Sequence, residues 1–298
     1  MARGTLRIGS HGTAPGYATV SRATLHLNRR GRGHALVLLH GYTGSGRSMA
    51  GLAQVFEREY EILAPDLPGH GRSTAFEGCT FDGSVDDLLA TLDAAGHGQA
   101  HWLGYSMGAR LALGCAVRRP ECVASLILVA GRAGIVDPAE RAARRREDEA
   151  LASRIERDGL EVFVDEWMAQ PLLATQRHLG TSFLSRARSE RLANSARGLA
   201  ASLRGIGVGA QPPLFDALPR VTAPTLCVAG ALDMKFVAAA HDLARRLPRG
   251  EVCEIAGAGH AVHLEQPAAF VEVVRDFLRR VADLAKSNRP IFVQETAK

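Results

Sequence analysis

A mostly parallel, doubly wound α/β sheet with an inserted helical cap is the fold this 298-residue sequence predicts. Three observations carry that expectation. Short apolar runs alternate with helical patterns over residues 35–131 and again over 221–281, as the strands and crossover helices of one parallel sheet do. Residues 132–211, between them, lose the strand pattern and become helical and arginine-rich. Finally, Gly104-Tyr105-Ser106-Met107-Gly108 joins an apolar run to an Ala/Leu-rich stretch, which is the context of a sharp strand-to-helix turn.

The elements follow in order. Leu36-Val37-Leu38-Leu39 reads as a buried strand that runs into the turn His40-Gly41-Tyr42-Thr43-Gly44 and then a helix. Glu61-Ile62-Leu63-Ala64 leads into Asp66-Leu67-Pro68-Gly69-His70-Gly71, and a helix follows from about Val85 to Ala95. His101-Trp102-Leu103 enters the Ser106 turn and its helix, and Val123 to Ala130 closes the first half. In the inserted cap, Asp137-Pro138-Ala139-Glu140 is a helix start: an acceptor at the N-cap, proline at the first position and glutamate at the third. The helix beyond it offers Glu140 to Arg144, Arg144 to Asp148 and Arg145 to Glu149 as i,i+4 ion pairs. The core resumes with Pro224 to Gly230 and Val252 to Ile255 and ends on a helix from Pro267 to Arg280. Residues 1–22 and 287–298 lack apolar periodicity and are expected to be flexible ends of one domain.

Composition narrows the class. With 46% hydrophobic and 22% charged residues the chain can bury a large core, and no apolar run approaches the roughly 20 residues a bilayer span needs. The N-terminus has no continuous apolar segment of the secretory kind. Five scattered cysteines without a Cys-x-x-Cys pair point to reduced thiols and a cytoplasmic protein, not to a disulfide framework or a zinc site. A formal charge of +5 and a pI near 9.2 raise nucleic-acid binding as a class, but no motif for it is present.

A serine at the tip of a strand-to-helix turn, flanked by glycines, is either a nucleophile or a capping residue of a Gly-rich turn. The order of the remaining residues decides for the nucleophile. Asp233 follows one core strand and His260 the next, so nucleophile, acid and histidine come as Ser106, Asp233, His260, each at a strand's carboxyl end. The backbone N–H groups of Tyr42 and Met107 would form the oxyanion hole. His40 and His70 stand in turns and orient backbone; His263 either lines the site or packs beneath it.

Leu39 to Gly44, Asp66 to Ser73, Gly104 to Arg110 and Gly257 to Pro267 resemble α/β-hydrolases. The cap residues Glu140 to Asp148, Phe163, Trp167, Gln170-Pro171-Leu172, Arg191 and Asn194, with Asp233 to Phe236, are more specific. They resemble the 2-succinyl-6-hydroxy-2,4-cyclohexadiene-1-carboxylate synthases of menaquinone biosynthesis over residues 36–278. That resemblance implies a lyase that expels pyruvate from 2-succinyl-5-enolpyruvyl-6-hydroxy-3-cyclohexene-1-carboxylate, with the triad as base and with no metal or organic cofactor. It also implies a small tricarboxylate substrate, which gives Arg110, Arg144, Arg191 and Lys235 an anion to bind, with Trp167 as an apolar wall and Tyr105 in the binding site. Ala109, Ala231 and Met168 depart from the family pattern near these contacts. A carboxylesterase or carbon–carbon bond hydrolase would use the same triad, and a non-enzymatic ligand receptor is the remote alternative.

Overall fold

The computed structural model describes residues 25–73 and 78–287. Seven strands form one sheet in the order β1-β3-β2-β4-β5-β6-β7. These are β1 (Leu27–Arg30), β2 (Ala35–Leu39), β3 (Glu61–Pro65), β4 (Ala100–Tyr105), β5 (Val123–Val129), β6 (Thr225–Gly230) and β7 (Gly250–Ile255). All neighbours are parallel except β1, which runs antiparallel to β3 at the edge.

Both faces of the sheet are buried, so the strands read as continuous apolar runs. Val37 and Leu39, with Leu126 and Leu128, face one core. That side is covered by α2 (Phe81–Ala94), α3 (Met107–Arg118) and α8 (Met234–Arg246) through side chains such as Val85, Leu113 and Val237. Leu36, Leu38, Ile127 and Val129 face the other, where α1 (Ala50–Phe56) and α10 (Pro267–Ser287) bring Phe56, Phe270, Val274 and Phe277. Each such side chain, fully withdrawn from water, contributes roughly 1.5–3 kcal/mol.

Between β5 and β6 the chain forms α4 (Pro138–Asp158), α5 (Leu160–Ala169), α6 (Thr181–Leu192) and α7 (Ala196–Ile206). They enclose a small core of their own, with Ile155, Phe163, Val164, Leu199 and Leu203 at its centre. The expected start of α4 is present: the Asp137 carboxylate accepts the Glu140 N–H at 2.7 Å. Helix α7 sits directly on the sheet's loops, because glycines let backbone meet backbone. A Cβ on Gly198 would strike the Gly69 carbonyl, and one on Gly205 would strike the Cys79 carbonyl.

Three expectations need correction. Strand β1 was not foreseen, because Leu27-Asn28-Arg29-Arg30 is an edge strand with two exposed arginines and no apolar run to announce it. Helix α10 continues past Arg280 to Ser287, so the serine assigned to a flexible tail ends a helix, its hydroxyl donating to the Asp283 carbonyl at 3.0 Å. The remaining expected ends, 1–22 and 288–298, lie outside the described residues. On α4 only the Arg144–Asp148 pair forms as expected. Glu149 turns to Arg204 of α7, which also binds Glu156. Two carboxylates seven residues apart lie two turns apart on one stripe, and that stripe faces α7. Five strands precede the helices of residues 138–206 and two follow them. Among the described residues no helix is long and apolar enough to cross a membrane.

Gly198→Ala should lower stability by about 1–3 kcal/mol, the scale of overpacking, because its Cβ would press on the Gly69 backbone carbonyl and on the Ser195 hydroxyl that caps α7. Gly51→Ala, in α1 with open space around the site, should instead raise it by about 0.5–1 kcal/mol. Urea denaturation of both variants beside wild type checks the pair; equal shifts would show that the α7 contact is not close-packed.

Candidate active site

Ser106 lies between β4 and α3 with φ 52° and ψ −106°, a left-handed conformation that costs a residue with a Cβ on the order of 1–2 kcal/mol. The surroundings hold it there. Its N–H donates to the Val129 carbonyl at 2.8 Å. Gly104 abuts the Gly108 backbone, and Gly108 abuts the Leu39 carbonyl, so a side chain at either position would drive strand and helix apart. The turn has the strained strand-to-helix geometry of a nucleophile elbow.

His260 Nε2 lies 3.1 Å from Ser106 Oγ, and His260 Nδ1 lies 2.8 Å from Asp233 Oδ2. With Nδ1–H donating to the carboxylate, Nε2 keeps its lone pair and accepts from the serine hydroxyl. Asp233 ends the turn after β6 and His260 the turn after β7. Glu265 braces that second turn: its carboxylate accepts the N–H groups of Gly259 at 2.7 Å and Ala261 at 3.1 Å, one on each side of the histidine. Sequence reading gave Glu265 no such part, because its partners are backbone groups that no residue pattern displays.

The turn from His40 to Gly44 is fixed by two neutral histidines. Burial lowers the pKa of His40 to about 4 and of His70 to about 3. Each therefore has one donor and one acceptor nitrogen. His40 Nδ1 donates to the Gly41 carbonyl at 2.8 Å, and Nε2 accepts the Leu67 N–H at 2.9 Å. His70 Nδ1 donates to the Pro68 carbonyl, and Nε2 accepts the Thr43 N–H at 3.3 Å. Thr43 sits at φ 68°, and Asn194, just before α7, donates to its carbonyl at 2.9 Å while accepting the Gly71 N–H at 2.8 Å. The two histidines thus orient backbone as expected. Met107 is the first residue of α3, so its N–H has no carbonyl four residues back in the helix to bond.

One cavity opens above Ser106. Tyr42, Tyr105, Met107, Arg110, Arg144, Trp167, Arg191, Lys235 and His260 all line it with the serine, so the structure brings together every site residue read from the sequence; Asp233 stands behind His260. Arg110 is 6% exposed and donates to Gln211 Oε1 at 3.1 Å; burial lowers its pKa to about 9, which still leaves it charged at neutral pH. Arg191 donates to the Ala187 carbonyl at 2.8 Å, and its buried Nε has no partner among the described residues. Arg144 Nε lies 2.8 Å from the buried Asp148 carboxylate, which also accepts the Gly209 N–H. Tyr105 is buried, which raises its phenol well above the ordinary range and keeps it neutral. Trp167 meets Tyr42 edge to face, ring centroids 5.2 Å apart. His263 does not line the cavity: it packs beneath Tyr105 at 4.7 Å, held near pKa 4 by burial. Arg132, Gln176, Phe236 and Leu264 also line the cavity and were missed. Arg132 and Phe236 sit a few residues beyond β5 and β6, so the rule that selected Asp233 could have found them; Gln176 and Leu264 carry no sequence signal.

Comparison with known proteins identifies the fold and the family. Residues 34–267 match the family model of the alpha/beta hydrolase fold. A 2-succinyl-6-hydroxy-2,4-cyclohexadiene-1-carboxylate synthase from Serratia proteamaculans (strain 568) is 34% identical over 245 residues, 82% of this chain and 92% of that one. The chain belongs to the α/β-hydrolase fold family, among these synthases. A Bacillus subtilis (strain 168) protein, itself provisionally named as the same synthase, is 37% identical over 250 residues, 83% of this chain and 91% of its own. Among solved structures, MenH from S. aureus superposes with a TM-score of 0.83 at 31% identity, covering 86% of this chain and 99% of that one.

A histidine kept neutral by burial binds fewer protons folded than unfolded. Its stability contribution is therefore intact above the ordinary pKa of 6.5 and lost as pH falls toward about 4. Each such histidine costs about 1.4 kcal/mol per pH unit across that window. Removing one of them with His263→Phe should make the decline of unfolding free energy between pH 6.5 and pH 4 measurably shallower than in wild type. Parallel declines would mean that His263 does not titrate on unfolding.

Proposed function

We propose that this chain eliminates pyruvate from 2-succinyl-5-enolpyruvyl-6-hydroxy-3-cyclohexene-1-carboxylate, giving 2-succinyl-6-hydroxy-2,4-cyclohexadiene-1-carboxylate. The observation that carries the proposal is the convergence of Arg110, Arg144 and Arg191 on the cavity above Ser106. Arg144 is paired with Asp148, but a neutral ester would leave the guanidinium groups of Arg110 and Arg191 on neutral oxygens alone, and a compact tricarboxylate supplies them with charge-assisted hydrogen bonds. Lys235 adds a further cation, and Trp167 and Tyr105 offer flat surfaces to the ring. The helical insertion serves as the cap that completes this enclosure.

The substrate's numbering fixes the electron path. The proton to be removed lies on ring carbon 2, beside the succinyl carbonyl. Its electrons form the 2,3 double bond, the 3,4 double bond moves to 4,5, and the bond from carbon 5 to the enolpyruvyl oxygen breaks. The leaving enol takes up a proton at its methylene carbon to become pyruvate, so no oxidant, metal or water is consumed. His260 accepts the Ser106 proton, Asp233 holds the imidazole in the tautomer that allows this, and the serine oxygen removes the ring proton. The N–H groups of Tyr42 and Met107 stabilise charge that builds on the succinyl carbonyl oxygen. Cys79, Cys115, Cys122, Cys227 and Cys253 are all free thiols, which fits a cytoplasmic setting.

Ser106→Ala, Asp233→Asn and His260→Ala should each lower kcat for pyruvate release by about 10³-fold or more, since the three act as one unit. Circular dichroism should show the fold retained; a Ser106→Ala variant with near wild-type turnover would remove the serine from the chemistry.

The reaction class is tested by running a coupled pyruvate assay and a p-nitrophenyl butyrate assay on one preparation. Pyruvate release should exceed ester hydrolysis in kcat/KM by about 10³-fold or more, because the cationic wall is complementary only to the polyanion. Efficient ester turnover without pyruvate would replace the lyase with an esterase.

A further inference from the structure

Five cationic side chains line the cavity above Ser106: Arg110, Arg132, Arg144, Arg191 and Lys235. Among the described residues only Arg144 is matched by carboxylates, Asp148 at 2.8 Å and Glu147 at 4.0 Å. Arg110 is held by an amide oxygen and Arg191 by a backbone carbonyl. Among the described residues the Arg132 side chain likewise has only the Gly134 carbonyl, 3.1 Å from Nη2. Glu140, in the exposed first turn of α4, attracts Arg132 from a distance and forms no ion pair with it.

Arg132 and Lys235 also differ from the other three in position. Both line a neighbouring cavity as well, so they stand with Phe236 on the wall that the two cavities share. The one carboxylate on the far side, Asp242, is already engaged by Arg246 at 3.0 Å and Arg245 at 3.6 Å. A partly buried guanidinium has five N–H donors, and this one uses a single donor on a neutral acceptor. Burying charge without a counterion is costly, and an anionic ligand group is the partner that would offset it.

We propose that Arg132 and Lys235 form a carboxylate subsite on this shared wall, and that Arg132 determines how many carboxylates a ligand of this cavity must carry. The identity of the natural ligand rests on the lyase reading; the subsite itself does not. With Arg144 neutralised by Asp148, Arg110, Arg191 and the Arg132–Lys235 pair offer three unneutralised positions, the number that a tricarboxylate requires.

The probes are benzene-1,3,5-tricarboxylate and benzene-1,3-dicarboxylate, titrated calorimetrically against wild type, Arg132→Gln, Arg132→Lys and Arg144→Gln. In wild type the tricarboxylate should bind about tenfold or more tighter than the dicarboxylate, the effect of one charge-assisted contact. That preference should vanish in Arg132→Gln and partly return in Arg132→Lys. A preference unchanged in Arg132→Gln, or lost only in Arg144→Gln, overturns the subsite. In the pyruvate assay Arg132→Gln should raise KM about tenfold with kcat within about threefold of wild type. Thermal melts within a few degrees of wild type separate this from misfolding, and Arg132→Lys carries the test if Arg132→Gln does not fold. If wild type binds the tricarboxylate preferentially but releases no pyruvate, the lyase reading fails and the subsite stands. If wild type releases pyruvate and Arg132→Gln has an unchanged KM, the subsite fails and the lyase reading stands. Neither probe binding nor pyruvate release in wild type overturns both.

Discussion

The left-handed backbone of Ser106 is the constraint around which the rest of the molecule is arranged. A serine does not adopt φ 52° by preference, and the strain is sustained by contacts from three directions. The Val129 carbonyl takes its N–H, Gly108 presses on the Leu39 carbonyl, and Gly104 presses on Gly108. Those contacts tie β2, β4, β5 and α3 to a single point. The same packing sets Met107 at the open end of α3 and brings the turn after β2 alongside it, so Ser106 and the N–H groups of Met107 and Tyr42 are positioned from one origin.

Polar order around this point comes from groups that stay uncharged. His40 and His70 are useful as hydrogen-bonding joints because burial denies them a second proton, and a protonated ring would lose the acceptor that each backbone N–H needs. His260 differs in having Asp233 on one ring nitrogen and the serine on the other. Charge lies instead in the arginines and the lysine that line the cavity, of which Arg144 is paired with Asp148.

Much of this was legible in the sequence, and the reason is local. The elbow, the order Ser106, Asp233, His260 and the N-cap at Asp137 each rest on a few adjacent residues whose types have strict backbone or chemical requirements. The parallel sheet was legible because strands buried on both faces cannot disguise their apolar runs. What escaped was non-local or carried by backbone. Glu265 acts on two N–H groups, Arg204 draws Glu149 and Glu156 away from α4's own arginines, and β1 is too short and too exposed to show a pattern. Arg132 lay within reach of local reasoning, three residues beyond β5 as Asp233 is three beyond β6, but its residue type does not set it apart from the other arginines of the insertion.

The glycine contacts of α7 divide the helical insertion mechanically. Gly198 and Gly205 bring the α7 backbone against the loops at Gly69 and Cys79, and Tyr42 and Asn194 bind the helix and its approach to the oxyanion turn. Helix α4 is bound in turn to α7 through Arg204. Those two helices are thus seated on the sheet by backbone contacts, whereas α5 joins them through Phe163 and Val164 in the small core and through the Arg154–Glu166 pair, with Phe163 and Trp167 turned inward to Tyr42. Side-chain changes on α5 can therefore reshape the wall over Tyr42 while the α7 backbone contacts that seat the insertion on the sheet stay in place.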